Sequence, residues 1–249
     1  MKFLKLFFKR YAVLLLVIVI SCDNDDTQTV ISDNEMPIDE TMSILFIGNS
    51  HTNYNSGIAT HLEGFASSLD IEIQAQIIAP NGFTLEEHLQ SESTLFIINN
   101  TDWDVIILQE NTYRAAYETE EMKESILAFK DVLASINMQV YLFKTWAYQD
   151  MPEMNNLLDT AYNESSLLSD FPVISIGSAW ETFLTASSIN IYDDDTIHPN
   201  LNGTYLTAGL FFKKLFSDQN IISSPYNSSL TPEIASEIKT FVSSQTIIQ

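Results

Sequence analysis

The chain has 249 residues, of which 33 are acidic and 11 basic, and its formal net charge at pH 7 is −22. Hydrophobic residues make up 45% of the sequence and aromatic residues 11%, which suits one folded domain with a sizeable core rather than two large domains. This acidity excludes nucleic acid and anionic membrane surfaces as partners, because both would repel the protein.

The amino terminus has the pattern of a secretory signal sequence. A basic stretch, Lys2–Arg10, is followed by an apolar run, Tyr11–Ile20, that is too short for a comfortable transmembrane anchor. The stretch Val19–Cys22 resembles a bacterial lipobox, whose cysteine becomes the lipidated first residue of the mature protein. The alternative is an ordinary signal peptide with an incidental cysteine. Because Cys22 is the only cysteine, the exported domain must be stable without an internal disulfide bond.

The segment of residues 22–41 is rich in Asp, Asn, Thr and Ser, which is typical of a solvated tether. Its acidic cluster Asp23–Asp26 resembles the export signals of surface lipoproteins in Bacteroidota. We therefore predict a signal peptide over residues 1–21, a lipidated cysteine and tether over residues 22–41, and one domain over residues 42–249. The protein is expected to be exported and anchored by lipid in the bacterial cell envelope, at the outer membrane or the cell surface.

From residue 43 onward, apolar runs that fit strands alternate with amphipathic stretches that fit helices. This alternation predicts an α/β fold, a three-layer α/β/α sandwich with about five parallel strands in the flavodoxin-like order 2-1-3-4-5. In chain order, the predicted elements are strand Ser43–Ile47, helix Gly57–Leu69, strand Ile71–Ile78, a short helix from the capping residue Thr84 to Gln90, strand Asp104–Leu108, a helix with the apolar face Met122–Ile136, strand Met138–Phe143, helix Pro152–Leu168, strand Pro172–Ile176, helices Ala179–Ala186 and Leu201–Phe216, and a final helix Thr231–Ser243.

The first predicted strand ends in Gly48-Asn49-Ser50, small polar residues that suit a sharp turn. The carboxyl ends of parallel strands form the edge of the sheet at which ligands bind. A serine at this edge is a candidate nucleophile. It needs a general base, an acid that orients the base, and donors that stabilise an oxyanion.

The predicted loop of residues 189–200 contains a base and an acid close together. Asp195 precedes His198 by three residues, so one short segment can present both side chains, and Pro199 stiffens its end. A histidine oriented by a carboxylate can take the proton of a serine hydroxyl in acyl transfer. The alternatives are that Asp195 and His198 are solvated loop residues, or that Asp193–Asp195 binds calcium.

Together, the Gly-Asn-Ser turn and the later Asp-x-x-His resemble the SGNH (GDSL-type) hydrolase superfamily, over residues 43–216. The resemblance implies a catalytic triad of Ser50, His198 and Asp195. It also implies an oxyanion hole that includes the backbone amides of Ser50 and Gly82. The family's usual Gly-Asp-Ser appears here with Asn49 in place of the aspartate.

The third oxyanion donor that the resemblance implies is either Gln109 or Asn111. The family's Gly-x-Asn-Asp block is replaced here by Gln109-Glu110-Asn111-Thr112. Counting from the end of the third predicted strand aligns Asn111 with the family's asparagine. Branches similar to the sialate O-acetylesterases carry a Gln-Gly-Glu-Ser type of block, which favours Gln109.

The remaining histidines and Trp146 fit supporting roles better than catalytic ones. His51 follows the serine but points elsewhere at a strand-to-helix turn, which favours a structural or substrate-lining role over that of a base. His61 and His88 lie on predicted helices and are expected to be packed or surface residues. No two histidines have zinc-like spacing, so neither a metal nor another cofactor is expected. Trp146 fits either the wall of a sugar-binding cleft or the edge of the core.

These residues and the resemblance predict a serine esterase that forms an acyl-enzyme and acts on a small-molecule or glycan ester. Removal of O-acetyl groups from carbohydrate is the expected reaction, although a lipase or thioesterase would use the same residues. An α/β-hydrolase fits poorly, since Thr52 stands where its Gly-x-Ser-x-Gly turn needs glycine. The alternative from another class is a noncatalytic carbohydrate-binding lipoprotein on a hydrolase scaffold. Asn49 and the altered third block leave it open, whereas the intact Ser50, Asp195 and His198 argue against it. No protein partner is indicated.

Overall fold

The structure, a computed structural model, describes residues 41–134 and 138–247. The predicted signal peptide, Cys22 and the predicted tether up to residue 40 lie outside the described residues. Within those two ranges, no helix is both long enough and apolar enough to cross a membrane.

The central sheet of the described chain consists of five parallel strands: β1 (Met42–Ile47), β2 (Ile73–Ile78), β3 (Val105–Leu108), β4 (Gln139–Phe143) and β5 (Val173–Ile174). They lie in the order β2-β1-β3-β4-β5, so the predicted number and order of strands are confirmed. Strand β1 pairs with β2 on one side and with β3 on the other, so the chain first moves to one side of β1 and then crosses to the opposite side. The turn after β1 therefore lies at a topological switch point, between the segments that follow β2 and β3.

Helices cover both faces of the sheet, which confirms the predicted three layers. Ile44 and Phe46 of β1 pack into one hydrophobic cluster, whereas Leu45 and Ile47 pack into another on the opposite face. Burial on both faces explains why the strand is continuously apolar. The helices are α1 (Ser50–Asn53), α2 (Gly57–Ser67), α3 (Leu85–Gln90), α4 (Glu92–Asn100), α5 (Thr112–Tyr117), α6 (Thr119–Leu133), α7 (Met154–Ser169), α8 (Ile176–Ala186), α9 (Leu201–Leu215) and α10 (Pro232–Ser244), with a short 3₁₀ helix at Ile221–Ser223.

Helices α1, α4 and α5 are not predicted by the apolar pattern. They are short, with four, nine and six residues. Each follows a capping side chain that accepts a hydrogen bond from a backbone N–H of its first turn, and these are Asn49, Ser91 and Asn111. Such a cap can start a helix without an apolar stripe, so a search for periodicity misses these elements.

The region around β5 also differs from the prediction. The predicted strand Pro172–Ile176 has only Val173–Ile174 in the sheet, and Gly177, predicted to close the strand, lies inside α8. A Cβ on Gly177 would collide with the backbone carbonyl of Thr145. Glycine is therefore needed for α8 to approach the segment that follows β4.

Phe211 on α9 joins the helix layer to the sheet, and its removal should destabilise the fold. Its ring meets those of Phe46 and Phe143 edge to face, with centroid distances of 5.2 and 5.0 Å. We expect Phe211→Ala to lower the free energy of unfolding by about 3–5 kcal/mol, since a buried ring is lost and a cavity is left. Urea denaturation measures this. Phe96→Ala is the control, since its ring is 66% exposed; equal losses from both substitutions would contradict the packing described.

Candidate active site

The turn after β1 places Ser50 at the first position of α1. Asn49 caps this helix: its side-chain oxygen accepts a hydrogen bond from the His51 N–H at 3.2 Å. The Asn49 amide also donates to the carbonyl oxygen of Phe83 at 2.9 Å. A carboxylate could not make this second bond, because it has no donor. An asparagine rather than an aspartate at this position thus links the serine turn to the loop that contains Gly82.

The loop before α9 brings its histidine to the serine. The Ser50 hydroxyl lies 2.7 Å from Nε2 of His198, and Nδ1 of His198 lies 2.5 Å from Oδ2 of Asp195. The other carboxylate oxygen of Asp195 accepts the backbone N–H groups of Ile197 and His198, at 3.0 and 2.8 Å. The structure therefore brings together the three residues that the sequence proposes as a triad.

The charge of Asp195 determines which nitrogen of His198 carries the proton. Partial burial raises the pKa of this carboxyl, but hydrogen bonds from His198 and Ile197 outweigh that effect and lower the pKa to about 2. An ionised carboxylate only accepts hydrogen bonds, so Nδ1 of His198 must be the donor. In the neutral imidazole this leaves Nε2 with a lone pair that accepts the Ser50 hydroxyl proton.

Aromatic side chains hold the His198 ring in this orientation. Tyr54 stacks on it with a centroid distance of 4.3 Å and an interplanar angle of 3°. The ring centroid of His51 lies 5.3 Å from that of His198, and the two ring planes are tilted by 43°. The His51 ring also packs against Trp146, with a centroid distance of 5.0 Å. Burial, with a smaller contribution from His198, lowers the pKa of His51 to about 3. His51 is thus neutral at physiological pH and does not place a positive charge beside His198.

Trp146 belongs to the core rather than to an open cleft wall. It is 1% exposed and stacks on Trp180 at 3.8 Å. Its indole N–H donates to the carbonyl oxygen of Ile197 at 3.0 Å. Trp146 therefore supports the loop that carries Asp195 and His198 from below.

A pocket of about 420 Å³ opens above Ser50, within the usual size range of small-molecule sites. Gly82 lines it with a φ of +75°, a conformation that favours glycine. In the described part of the chain, the backbone N–H groups of Ser50 and Gly82 have no hydrogen-bond acceptor. Both are therefore available to a ligand. The other residues around the pocket are Asn49, His51, Tyr54, Asn81, Asn111, Tyr148, Ile197 and His198.

The two amides proposed as the third donor occupy different places. Gln109 is buried beneath the pocket, where its side-chain oxygen accepts from the Asn49 N–H and the Thr52 hydroxyl, each at 2.9 Å. Its amide group donates to the Glu110 carbonyl at 2.6 Å. Asn111 lines the pocket, and its amide donates to the Gly82 carbonyl at 3.1 Å. An amide nitrogen carries two hydrogens, so Asn111 keeps one donor for a ligand.

Glu110, between these two amides, is a supporting residue that the sequence analysis missed. It is fully buried, and one carboxyl oxygen accepts the backbone N–H groups of Leu85 and Asn111 at 3.2 and 2.6 Å. This contact connects the start of α3, just after the Gly82 loop, to the end of β3. Burial raises the pKa of Glu110 to about 7, against the effect of the two N–H groups. Its position at the end of an apolar strand was the only available signal in the sequence.

The other two histidines are buried and hydrogen-bonded, as expected for packed residues. His88 lies 2.7 Å from the carbonyl oxygen of Gly48 and so supports the serine turn from the side of α3. His61 contacts the Tyr226 hydroxyl and the Asn55 carbonyl, each at 2.9 Å. In the described ranges, no cluster of three or more potential metal ligands is found.

The raised pKa of Glu110 should make stability depend on pH. An unfolded glutamate has a pKa of about 4.3, so between this value and 7 the folded protein binds more protons than the unfolded chain. The free energy of unfolding therefore falls as pH rises through this interval. Relative to Glu110→Gln, which keeps the oxygen acceptor but does not titrate, the protein should lose about 3 kcal/mol between pH 4 and 8. Urea denaturation at several pH values measures the difference.

Glu72→Gln is the control for this measurement, because Glu72 is exposed and outside the site. Its difference from the unchanged protein should stay nearly constant with pH. A Glu110→Gln difference that is equally flat would show that the buried carboxyl does not titrate in this interval.

No protein-family model matches the sequence, and comparison with curated proteins finds no match. Solved structures do match its fold. A DUF4886 family protein from Bacteroides uniformis is 18% identical, with a TM-score of 0.68 over 82% of this chain and 94% of its own. A protein from Slackia heliotrinireducens, proposed to be an SGNH hydrolase, is 21% identical, with a TM-score of 0.60 over 70% of this chain and 99% of its own.

A third similar structure is that of an enzyme named for its substrate. A mutant of an acetyl-xylooligosaccharide esterase from Geobacillus is 14% identical, with a TM-score of 0.52 over 70% of this chain and 94% of its own. At these identities the likeness concerns the fold. The described chain has the α/β fold of solved SGNH hydrolases, with five parallel strands in the order that the sequence predicts.

Proposed function

We propose that the protein is a serine hydrolase of the SGNH type that cleaves esters through an acyl-enzyme. The observation that carries this proposal is the chain of hydrogen bonds from the Ser50 hydroxyl through His198 to Asp195. It lies at the carboxyl ends of the strands. Solvated loop residues would have no reason to meet a serine 148 positions away in the chain. A calcium site at Asp193–Asp195 fits less well, because both carboxylate oxygens of Asp195 already accept hydrogen bonds.

In the first half of the reaction, Ser50 Oγ attacks the acyl carbonyl carbon while its proton passes to Nε2 of His198. The carbonyl electrons move to the oxygen and form a tetrahedral oxyanion. When this collapses, the bond to the alcohol oxygen breaks, and that oxygen takes the proton from Nε2. Asp195 stabilises the positive imidazolium during both transfers. Water then attacks the acyl-enzyme in the same way and releases the acid and free Ser50.

The oxyanion requires donors that are in place before the reaction. We assign this role to the N–H groups of Ser50 and Gly82 and to the side-chain amide of Asn111, because all three residues line the same pocket. Gln109 is assigned a positioning role, because its oxygen and one amide hydrogen are already bonded to the serine turn and to Glu110.

For the substrate, we propose the O-acetyl groups of carbohydrate. The pocket is lined by both polar and aromatic side chains, which suits a polar alcohol portion rather than a long hydrocarbon. A protein of the same fold acts on acetylated xylo-oligosaccharides.

We further propose that the enzyme is exported and anchored through Cys22, on the strength of the signal and lipobox pattern.

Substitution of the nucleophile tests the proposed function. We expect Ser50→Ala to abolish hydrolysis of p-nitrophenyl acetate by the purified protein. Asp195→Asn should lower kcat by about 10⁴-fold, because His198 then adopts the wrong tautomer. Initial rates with acetate, butyrate and palmitate esters measure both effects, and preference for acetate would separate a deacetylase from a lipase.

The control is Ser67→Ala, since Ser67 lies exposed on α2. It should retain the full rate. If Ser50→Ala keeps the rate of the unchanged protein, or if no ester is hydrolysed, the catalytic proposal is wrong and the carbohydrate-binding alternative gains support.

The two amide residues should respond differently to substitution. Asn111→Ala should lower kcat by about 10²- to 10³-fold, as expected for the loss of one oxyanion donor. Gln109→Ala leaves the Asn49 N–H and the Thr52 hydroxyl without a buried acceptor and should destabilise the fold by about 1–3 kcal/mol for each unpaired group. Ester hydrolysis and urea denaturation of both variants measure these effects. A large loss of kcat in Gln109→Ala with unchanged stability would reverse the two assignments.

A further inference from the structure

Two exposed tyrosines on α5 lie beside the proposed site. The side chains of Tyr113 and Tyr117 are 52% and 42% exposed, and their rings contact each other with a centroid distance of 4.8 Å. Phe96 is the other large aromatic side chain with high exposure among the described residues, at 66%. Exposed aromatic pairs are costly to hydrate and are enriched where proteins bind ligands.

Helix α5 holds these tyrosines in a fixed place relative to the pocket. Its capping residue is Asn111, whose side-chain oxygen accepts the backbone N–H groups of Tyr113 and Arg114 at 3.0 and 3.3 Å. Arg114 also pairs with Glu86 of α3 at 2.7 Å. The helix is thus attached to the proposed oxyanion donor at one end and to a neighbouring helix along its side.

Tyr148 is a third tyrosine at the pocket over Ser50. Its ring lines that pocket and stacks over His51, with a centroid distance of 6.5 Å and an interplanar angle of 19°. Burial raises the pKa of Tyr148, and the nearby phenol groups of Tyr113 and Tyr117 raise it further. Asn111 lines the same pocket as Tyr148 and is the capping residue of α5, so the exposed tyrosine pair begins two residues from the pocket wall.

We propose that Tyr113, Tyr117 and Tyr148 bind the sugar ring of an uncharged carbohydrate ester whose acyl group enters the Ser50 pocket. The faces of an aromatic ring are electronegative, and the C–H groups on the face of a pyranose ring are weakly positive, so the two surfaces attract each other. The phenol hydroxyls can exchange hydrogen bonds with sugar hydroxyls. This inference rests on the proposed ester hydrolysis and names the residues that recognise the alcohol portion of the substrate.

The charges around the three tyrosines favour an uncharged sugar over an acidic one. Arg114, the basic residue of α5, already pairs with Glu86, and Glu118 directly follows Tyr117. Asp193, Asp194 and Asp195 lie in the loop that carries His198, which lines the same pocket. The protein as a whole has a net charge of −22. A uronic acid would meet repulsion there, whereas a neutral sugar would not.

The experiment compares two acetate esters that differ only in the alcohol: mono-O-acetylated xylotriose and ethyl acetate. We expect Tyr113→Ala and Tyr117→Ala each to lower the ratio of their kcat/KM values by about 2- to 10-fold, mainly through a higher KM for the oligosaccharide. Tyr113→Phe and Tyr117→Phe keep the ring and should retain most of the preference. Phe96→Ala, an exposed aromatic residue on α4, should leave both substrates unaffected.

Equal losses for both esters in the alanine variants would overturn the proposal, since they would indicate a structural role for α5. Unchanged ratios, or an unchanged protein that hydrolyses acetylated xylotriose no better than ethyl acetate, would also overturn it.

A binding measurement separates this inference from the proposed function. The full protein with Ser50→Ala cannot turn over substrate, so calorimetry can measure its affinity for mono-O-acetylated xylotriose directly. We expect the acetylated xylotriose to bind and Tyr113→Ala to weaken this binding. An oligogalacturonate of the same length should not bind. If the protein hydrolyses no ester but shows this tyrosine-dependent binding, the proposed catalysis fails and the sugar site stands. If esters are hydrolysed but no sugar binds, the sugar site fails alone.

Discussion

The side-chain amide of Gln109 joins the two strand ends on which the site is built. Its oxygen accepts the Asn49 N–H and the Thr52 hydroxyl, so the end of β3 fixes the turn that follows β1. The same amide explains the glycine of the turn, because a Cβ on Gly48 would collide with the Gln109 side chain. All of this is buried, where an unpaired polar group costs about 1–3 kcal/mol. The buried hydrogen bonds to Gln109 therefore fix the turn that carries Ser50, and with it the orientation of the serine.

The rest of the site is assembled around this turn by polar contacts between loops. Asn49 reaches the Phe83 carbonyl in the segment after β2, His88 reaches the Gly48 carbonyl, and Glu110 accepts the Leu85 N–H. These contacts connect the ends of β1, β2 and β3, the strands that adjoin the switch point of the sheet. A rigid frame of this kind holds donors in place before charge develops, which is the condition for electrostatic stabilisation of a transition state.

The sequence predicts the sheet well because the inner strands β1 and β3 are buried and appear as apolar runs, whereas the edge strand β2 alternates apolar and polar residues. The candidate triad could also be predicted from the sequence. Its chemistry requires a serine, a histidine and an acid at strand ends or in loops, and Ser50, His198 and Asp195 are found in such places. The sequence could not separate Gln109 from Asn111, because both are amides near one strand end and their direction depends on the course of the turn. It also missed α5, whose short length and polar cap leave no periodic apolar pattern, and with it the exposed Tyr113 and Tyr117.

Asn111 shows how one side chain can serve both the fold and the proposed chemistry. Its oxygen accepts two backbone N–H groups at the start of α5, which fixes the orientation of the amide, because only oxygen can take this position. The nitrogen must then face Gly82 and the pocket. The pocket is thereby presented with a donor rather than an acceptor, as an oxyanion needs. The same cap sets the position of α5, so the proposed oxyanion donor and the exposed tyrosines are aligned by a single residue.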